Sequence, residues 1–231
     1  MSSSAGIFGA DSPLVRILTR VADLMILNLL FIATSLPIVT LGASLTALTG
    51  TAMRIARGES ESTSGDYLRA LRRDFRQGTL LGLVVGGLCL VLSAWWVVVN
   101  GLNVPGLVRL VLYVVCGVLA FRLTLVALYA FPYLATFDDP LRTVLRNARL
   151  MSLRHPFASL GLLAVTGLPV VVTVFYPKIM VYGLIWFLIG FAGVAFMVGI
   201  VLTGVFATYA PKLALVPSVE PDDGNDNPAR S

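Results

Sequence analysis

Four apolar runs dominate the sequence, at residues 79–99, 107–134, 158–176 and 179–210, with polar or turn-forming stretches between them. About 20 apolar residues suffice to cross the hydrocarbon core of a bilayer. Runs of this length and apolarity read as membrane spans. Composition agrees: 57% of residues are hydrophobic and 13% charged, roughly half the charge of a soluble domain. The expected fold is all-α, a polytopic membrane helix bundle.

Charge is distributed unevenly around these runs. The stretch 54–77 holds Arg54, Arg57, Arg69, Arg72, Arg73 and Arg76, and the stretch 135–157 holds Arg142, Arg146, Arg149 and Arg154. The intervening turns hold only Arg109 and Lys178. Basic loops stay on the cytoplasmic side, so both Arg-rich stretches and the chain after Tyr209 are expected inside, at the plasma membrane. Trp95, Trp96, Tyr113, Tyr176 and Tyr182 then fall towards the outer interface. The net charge of +5 is read as attraction to an anionic inner leaflet, with no nucleic acid implied.

The segment 24–53, which includes "LNLLFIATSLPIVTLG", is long for one span and short for two. Pro37 removes a backbone donor and biases Leu36 away from helix. Thr40 is placed to cap a second helix. A break at Pro37–Gly42 also returns Arg16 and Arg20 to the cytoplasm. This favours six membrane-inserted segments, at about 13–36, 41–57, 78–100, 106–134, 157–176 and 179–210. The alternative is five, with a kinked first span. No cleavable signal peptide is expected, and residues 1–12 and 211–231 read as disordered.

Two basic stretches have helical periodicity. Over about 65–77, Tyr67, Leu68, Leu71 and Phe75 share a face opposite Arg69, Arg72, Arg73 and Arg76, with Ser64 or Asp66 as cap. Over about 139–154, Leu141, Val144, Leu145 and Ala148 form one stripe and Arg142, Arg146 and Arg149 another, with Asp138 or Asp139 as cap. Both are expected to lie along the inner surface as amphipathic helices, binding anionic lipid or a cytoplasmic partner. Gly78, Gly82 and Gly86 recur at intervals of four, as do Ala195, Gly199 and Thr203. These read as close helix seams, within one chain or between subunits.

Few residues carry chemistry. The sequence contains no phosphate-binding G-x-x-x-x-G-K-[ST] loop, a single histidine (His155), and no acidic pair within a span. Cys89 and Cys116 lie in apolar runs and read as buried small side chains. No catalytic residues, metal site or cofactor are expected, and the protein is not expected to be an enzyme. Arg122, near the middle of an apolar run, is the one intramembrane charge and a candidate functional residue. Asn28, Thr34, Asp23 and carbonyls freed at Pro37 or Pro169 are its candidate partners.

"LNLLFIATSLPIVTLGASLTALTGTAMRIARGE", "RRDFRQGT" and "YAFPYLATFDDPLRTVLRNARLMSLRHP" together resemble the YesL-like family of bacterial integral membrane proteins, over roughly 14–210. That resemblance implies no known activity. Its signature positions here are Asn28, Pro37, Thr40 and Gly42, then Phe131, Pro132, Phe137, Asp138 and Asn147. Members often lie near carbohydrate-uptake genes, which implies an accessory or assembly role beside an ABC-type transporter. The alternative is a small solute transporter or channel with Arg122 in a polar path.

Overall fold

A computed structural model describes residues 13–137, 139–175 and 183–209. The chain folds as α1 (Pro13–Ser35), a 3-10 turn (Ile38–Thr40), α2 (Leu41–Arg57), α3 (Thr63–Gly101), α4 (Gly106–Thr136), α5 (Leu141–Arg154), α6 (Pro156–Phe175) and α7 (Gly183–Ala207). The described residues contain no strand. Six of these helices are long and apolar enough to cross a membrane, and α5 is the exception. The fold is thus an all-α bundle of a multi-pass membrane protein. The expected disorder of 1–12 and 211–231, and the places of Asp138, Tyr176, Lys178 and Tyr182, lie outside the described residues.

The helix that begins at Pro13 does stop before Pro37, and a new one starts at Leu41. Pro37 itself is extended, at φ −75° and ψ 117°. Thr40 occupies the cap position of α2, but its hydroxyl does not cap that helix. It donates to the carbonyls of Thr34 (2.6 Å) and Pro37 (2.7 Å). The Thr34 carbonyl belongs to the end of α1, and the Pro37 carbonyl to the turn, where it also accepts from the Thr40 amide at 2.9 Å. The hydroxyl therefore closes the outgoing helix instead of opening the incoming one.

Helix α2 is the hub, packing on α1, α3, α4 and α7. Most of its buried residues are small (Gly42, Ala43, Ser44, Thr46, Ala47, Thr51 and Ala52), with Leu48, Met53 and Ile55 the larger ones. Without a hydrophobic drive between helices in lipid, close approach of small residues is what holds them together. The tightest approach is to α3. A Cβ added at Gly42 would lie 2.6 Å from Gly82 Cα, and one at Gly78 would lie 2.8 Å from Ala43 Cα. Gly86, expected in the same seam, has open space around it. It lies one turn beyond the start of α2, where no partner helix remains. On α7, Gly199 packs on Met53 and Ala195 is buried beside Leu48 and Ala47.

This contact fixes a register with consequences. Helix α3 runs unbroken for 39 residues, about 58 Å, nearly twice the hydrocarbon thickness of about 30 Å. The expected separation into an interfacial helix at 65–77 and a span from 78 is therefore absent. No helix-breaking residue intervenes between Phe75 and Leu80, and Gly78 is held by α2. The α1–α2 turn meets α3 at Gly82, roughly 20 Å short of Trp95 and Trp96 along the helix. Its exposed side chains are Leu36, Ile38 and Val39, which suit hydrocarbon.

The face that α3 buries is mixed. Asp66, Tyr67, Asp74, Gly78 and Leu81 face inward, while Leu68 and Phe75 are exposed. Ser62, not Ser64 or Asp66, caps the helix, accepting from the Gly65 amide. On α5 the buried stripe is Val144, Ala148, Met151 and Ser152, packed on Tyr133, Leu134 and Phe206. Pro140 stands at its cap position, and Asp139 accepts from the Tyr133 hydroxyl.

Valine at Gly82 should force two backbones apart and cost about 3 kcal/mol. Valine at Gly86 should change stability by less than about 0.5 kcal/mol. Thermal denaturation of the two variants in detergent checks the contrast.

Candidate functional site

Asn28 is fully buried in α1, and its amide is spent on α7. Nδ2 donates to the carbonyls of Trp186 (3.0 Å) and Phe187 (2.7 Å), and Oδ1 accepts from the Ala192 amide (3.0 Å). These groups flank a π-helical stretch, Trp186–Gly190. A π-turn inserts a residue and leaves helical donors and acceptors without their usual mates. One asparagine serves both kinds. Asn28 is therefore not a partner of Arg122.

Arg122 is half-buried on α4 and makes no hydrogen bond or ion pair among the described residues. Its other proposed partners are also engaged elsewhere. Asp23 accepts from the Thr63 hydroxyl (2.7 Å), and Thr34 bonds with Tyr67 and Ser44 beside the α1–α2 turn. Arg122 is also absent from the walls of an apolar cavity of about 410 Å³, which α2, α3, α4, α6 and α7 line.

A different group of residues converges on a polar cavity of about 460 Å³ at the end of α2. Its walls carry Arg54 and Arg57 from α2, Asp66, Arg69 and Arg73 from α3, Glu59 from the connecting loop, and Ala135 and Thr136 from α4. Helix α2 ends there because Gly58 takes a left-handed conformation, φ 74°. Its amide donates to Ile55 O and that of Glu59 to Arg54 O. This closure directs Arg57 inward beside the start of α3.

Opposite charges are interleaved in the chamber. Asp66 is almost fully buried and accepts from Arg69 and from Ser60, with Arg54 at 3.7 Å. Arg73 bonds Asp74 through two nitrogens and the Ala135 carbonyl (2.9 Å). Arg57 reaches Glu59 through Nη2 at 2.8 Å. Its side chain is only 9% exposed, yet Nε and Nη1 have no partner among the described residues. The Thr51 hydroxyl, also buried on the chamber wall, has none either.

Sequence reasoning placed Arg69, Arg72, Arg73 and Arg76 together. The structure divides them: Arg69 and Arg73 border the chamber, while Arg72 and Arg76 face outward. Arg142, Arg146 and Arg149 are exposed on α5 as one row. Arg57 was read only as one of the cytoplasmic arginines and Asp66 only as a candidate cap, and Thr51 and Asp74 were not singled out. The spacing of Asp66, Asp74 and Gly78 on one face was the available signal, since an acid pair on the glycine face of a basic helix marks that face as inward.

Taken together, these features define a polytopic helical membrane protein with an arginine-bordered polar chamber at its basic end. The family model described as "Protein of unknown function, DUF624" matches residues 24–96, from Asn28 through the α1–α2 turn to the apolar half of α3. No curated protein and no solved structure matches the chain.

Replacing Asn28 by alanine orphans the Ala192 amide and two carbonyls in an apolar setting. Each side-chain hydrogen bond of this kind is worth somewhat under or about 1 kcal/mol in a membrane, and stranding its partners adds to that. The expected loss is about 2–3 kcal/mol, read as earlier thermal unfolding in detergent.

Proposed function

We propose that the protein is a non-enzymatic accessory subunit of the plasma membrane, with both termini cytoplasmic, which assembles with an ABC-type carbohydrate-uptake transporter through its basic inner face. One observation carries the reading. Arg72 and Arg76 on α3, with Arg142, Arg146 and Arg149 on α5, are exposed and have no ion pair among the described residues. Phe75 on α3 and Leu150 and Leu153 on α5 are exposed on the same helices. Arginine mixed with apolar side chains is the composition favoured at protein interfaces. The rigidity of α3 adds support: a basic segment continuous with a span presents its charges at fixed positions, as a docking face requires.

The choice of partner rests on the resemblance to YesL-like proteins, with which the family match at residues 24–96 is compatible. The transporter alternative draws little support from the geometry, since Arg122 is not among the residues that line the polar chamber.

Purification in mild detergent at native expression level should recover permease or ATPase subunits of an uptake system with the wild-type protein. Changing all five arginines to glutamate should abolish that recovery while leaving membrane insertion intact. Recovery of the wild-type chain alone overturns the assignment.

A further inference from the structure

The chamber at the end of α2 has a property that docking through the outward arginines does not use. Four arginines border it against two carboxylates, Asp66 and Glu59. Asp66 is taken up by Arg69, Arg54 and Ser60, and Glu59 by Arg57 Nη2. Two of the three guanidinium nitrogens of Arg57 are left over, on a side chain that is nine-tenths buried. A desolvated cation with unfilled donors is among the costlier things a fold can contain. Thr51 adds a second buried, unpartnered group on the same wall. Several helical threonines donate to the carbonyl four residues back, as Thr46 does to Gly42 and Thr203 to Gly199. Thr51 does not, although Thr79 on α3 is also without a partner among the described residues.

An anion with several acceptor oxygens suits this donor set. The cavity volume, about 460 Å³, exceeds the needs of a halide and admits a tetrahedral oxyanion with a substituent. Guanidinium groups favour phosphate through several directed donors. We infer that the chamber is a phosphate-binding site, in which Arg57 Nε and Nη1 and the Thr51 hydroxyl bind the phosphate oxygens and Arg54, Arg69 and Arg73 supply the surrounding positive charge. The phosphate is carried by a phospholipid headgroup or by a soluble phosphoester. The chamber lies where the basic end of the bundle meets the apolar spans, so both sources can reach it. Arg57 is buried and outside the docking row, so this site can fail or stand independently of the accessory role.

The test uses the full chain, purified in a neutral detergent and reconstituted in nanodiscs. Its melting temperature is measured with inorganic phosphate against chloride at equal ionic strength. It is measured again in discs of phosphatidylglycerol against discs of phosphatidylcholine. A ligand that binds only the folded state raises the melting temperature, by an amount that grows with the logarithm of its concentration above Kd. The wild type should gain several degrees from at least one probe. A gain from phosphate in detergent identifies a soluble phosphoester as sufficient, and a gain in phosphatidylglycerol discs alone identifies the headgroup. Arg57→Gln should remove the gain, and Thr51→Ala should reduce it. Thr51→Ala deletes only an unpartnered hydroxyl, so it keeps the test decisive if Arg57→Gln fails to insert. No gain over the chloride and phosphatidylcholine controls overturns the inference. So does an undiminished gain in Thr51→Ala together with whatever Arg57→Gln protein inserts.

Discussion

The structure depends on one close approach, the packing of Gly42 on Gly78 and Gly82. Backbone meets backbone there, so the helices cannot slide past one another without losing the contact altogether. Everything on α2 is thereby set in register with α3. Ala43 and Thr46 meet Gly78, and three turns further on, Arg54 and Arg57 arrive beside Asp66 and Arg69. A second small-residue contact, Gly50 against Ala135, sets α4 in place and closes the far wall of the chamber. The polar site is thus a result of apolar geometry one or two turns away. It needs no strong ion pair to hold it together, which accords with the modest worth of partly exposed salt bridges.

The same register leaves the α1–α2 turn at the level of Gly82, alongside the apolar half of α3. A turn at that depth has no water to satisfy its carbonyls. Side chains take over this role: Thr40 for Thr34 and Pro37, Ser35 for Ile32. The π-helical stretch of α7 is handled in the same manner by Asn28 from a different helix. Both irregularities sit in the bundle's interior or against it, and both are bonded from within the 24–96 region that the family model matches.

Much of this was legible in the sequence. The six segments follow from length, apolarity and the alternation of arginine-rich loops, and the break at Pro37 from a missing donor. The small residues of α2 foretold a helix surrounded by others. What escaped was whatever depends on two helices at once. Leu68 and Phe75 were read as part of the apolar stripe of a helix lying along the inner membrane surface, and both are exposed. The inward face was instead chosen by Gly78 and carried Asp66 and Asp74 with it. Asn28 stood out as a polar residue in an apolar run, but a π-turn on a helix 158 residues away has no local signature. Arg122 stood out as an intramembrane charge, and its geometry does not link it to the polar groups of α1.

The most direct measurement concerns the packing that encloses the chamber. Gly50→Cys and Ala135→Cys, combined in a background with Cys89 and Cys116 replaced by serine, bring two Cβ atoms into contact, since a Cβ built at Gly50 lies 2.9 Å from Ala135 Cβ. A disulfide requires a Cβ separation of about 3.5–4.5 Å, within reach of a small adjustment. Mild oxidation of the protein in membranes should therefore link α2 to α4 within one chain, with loss of both free thiols. Two thiols that stay free and unlinked would contradict the register on which the chamber depends.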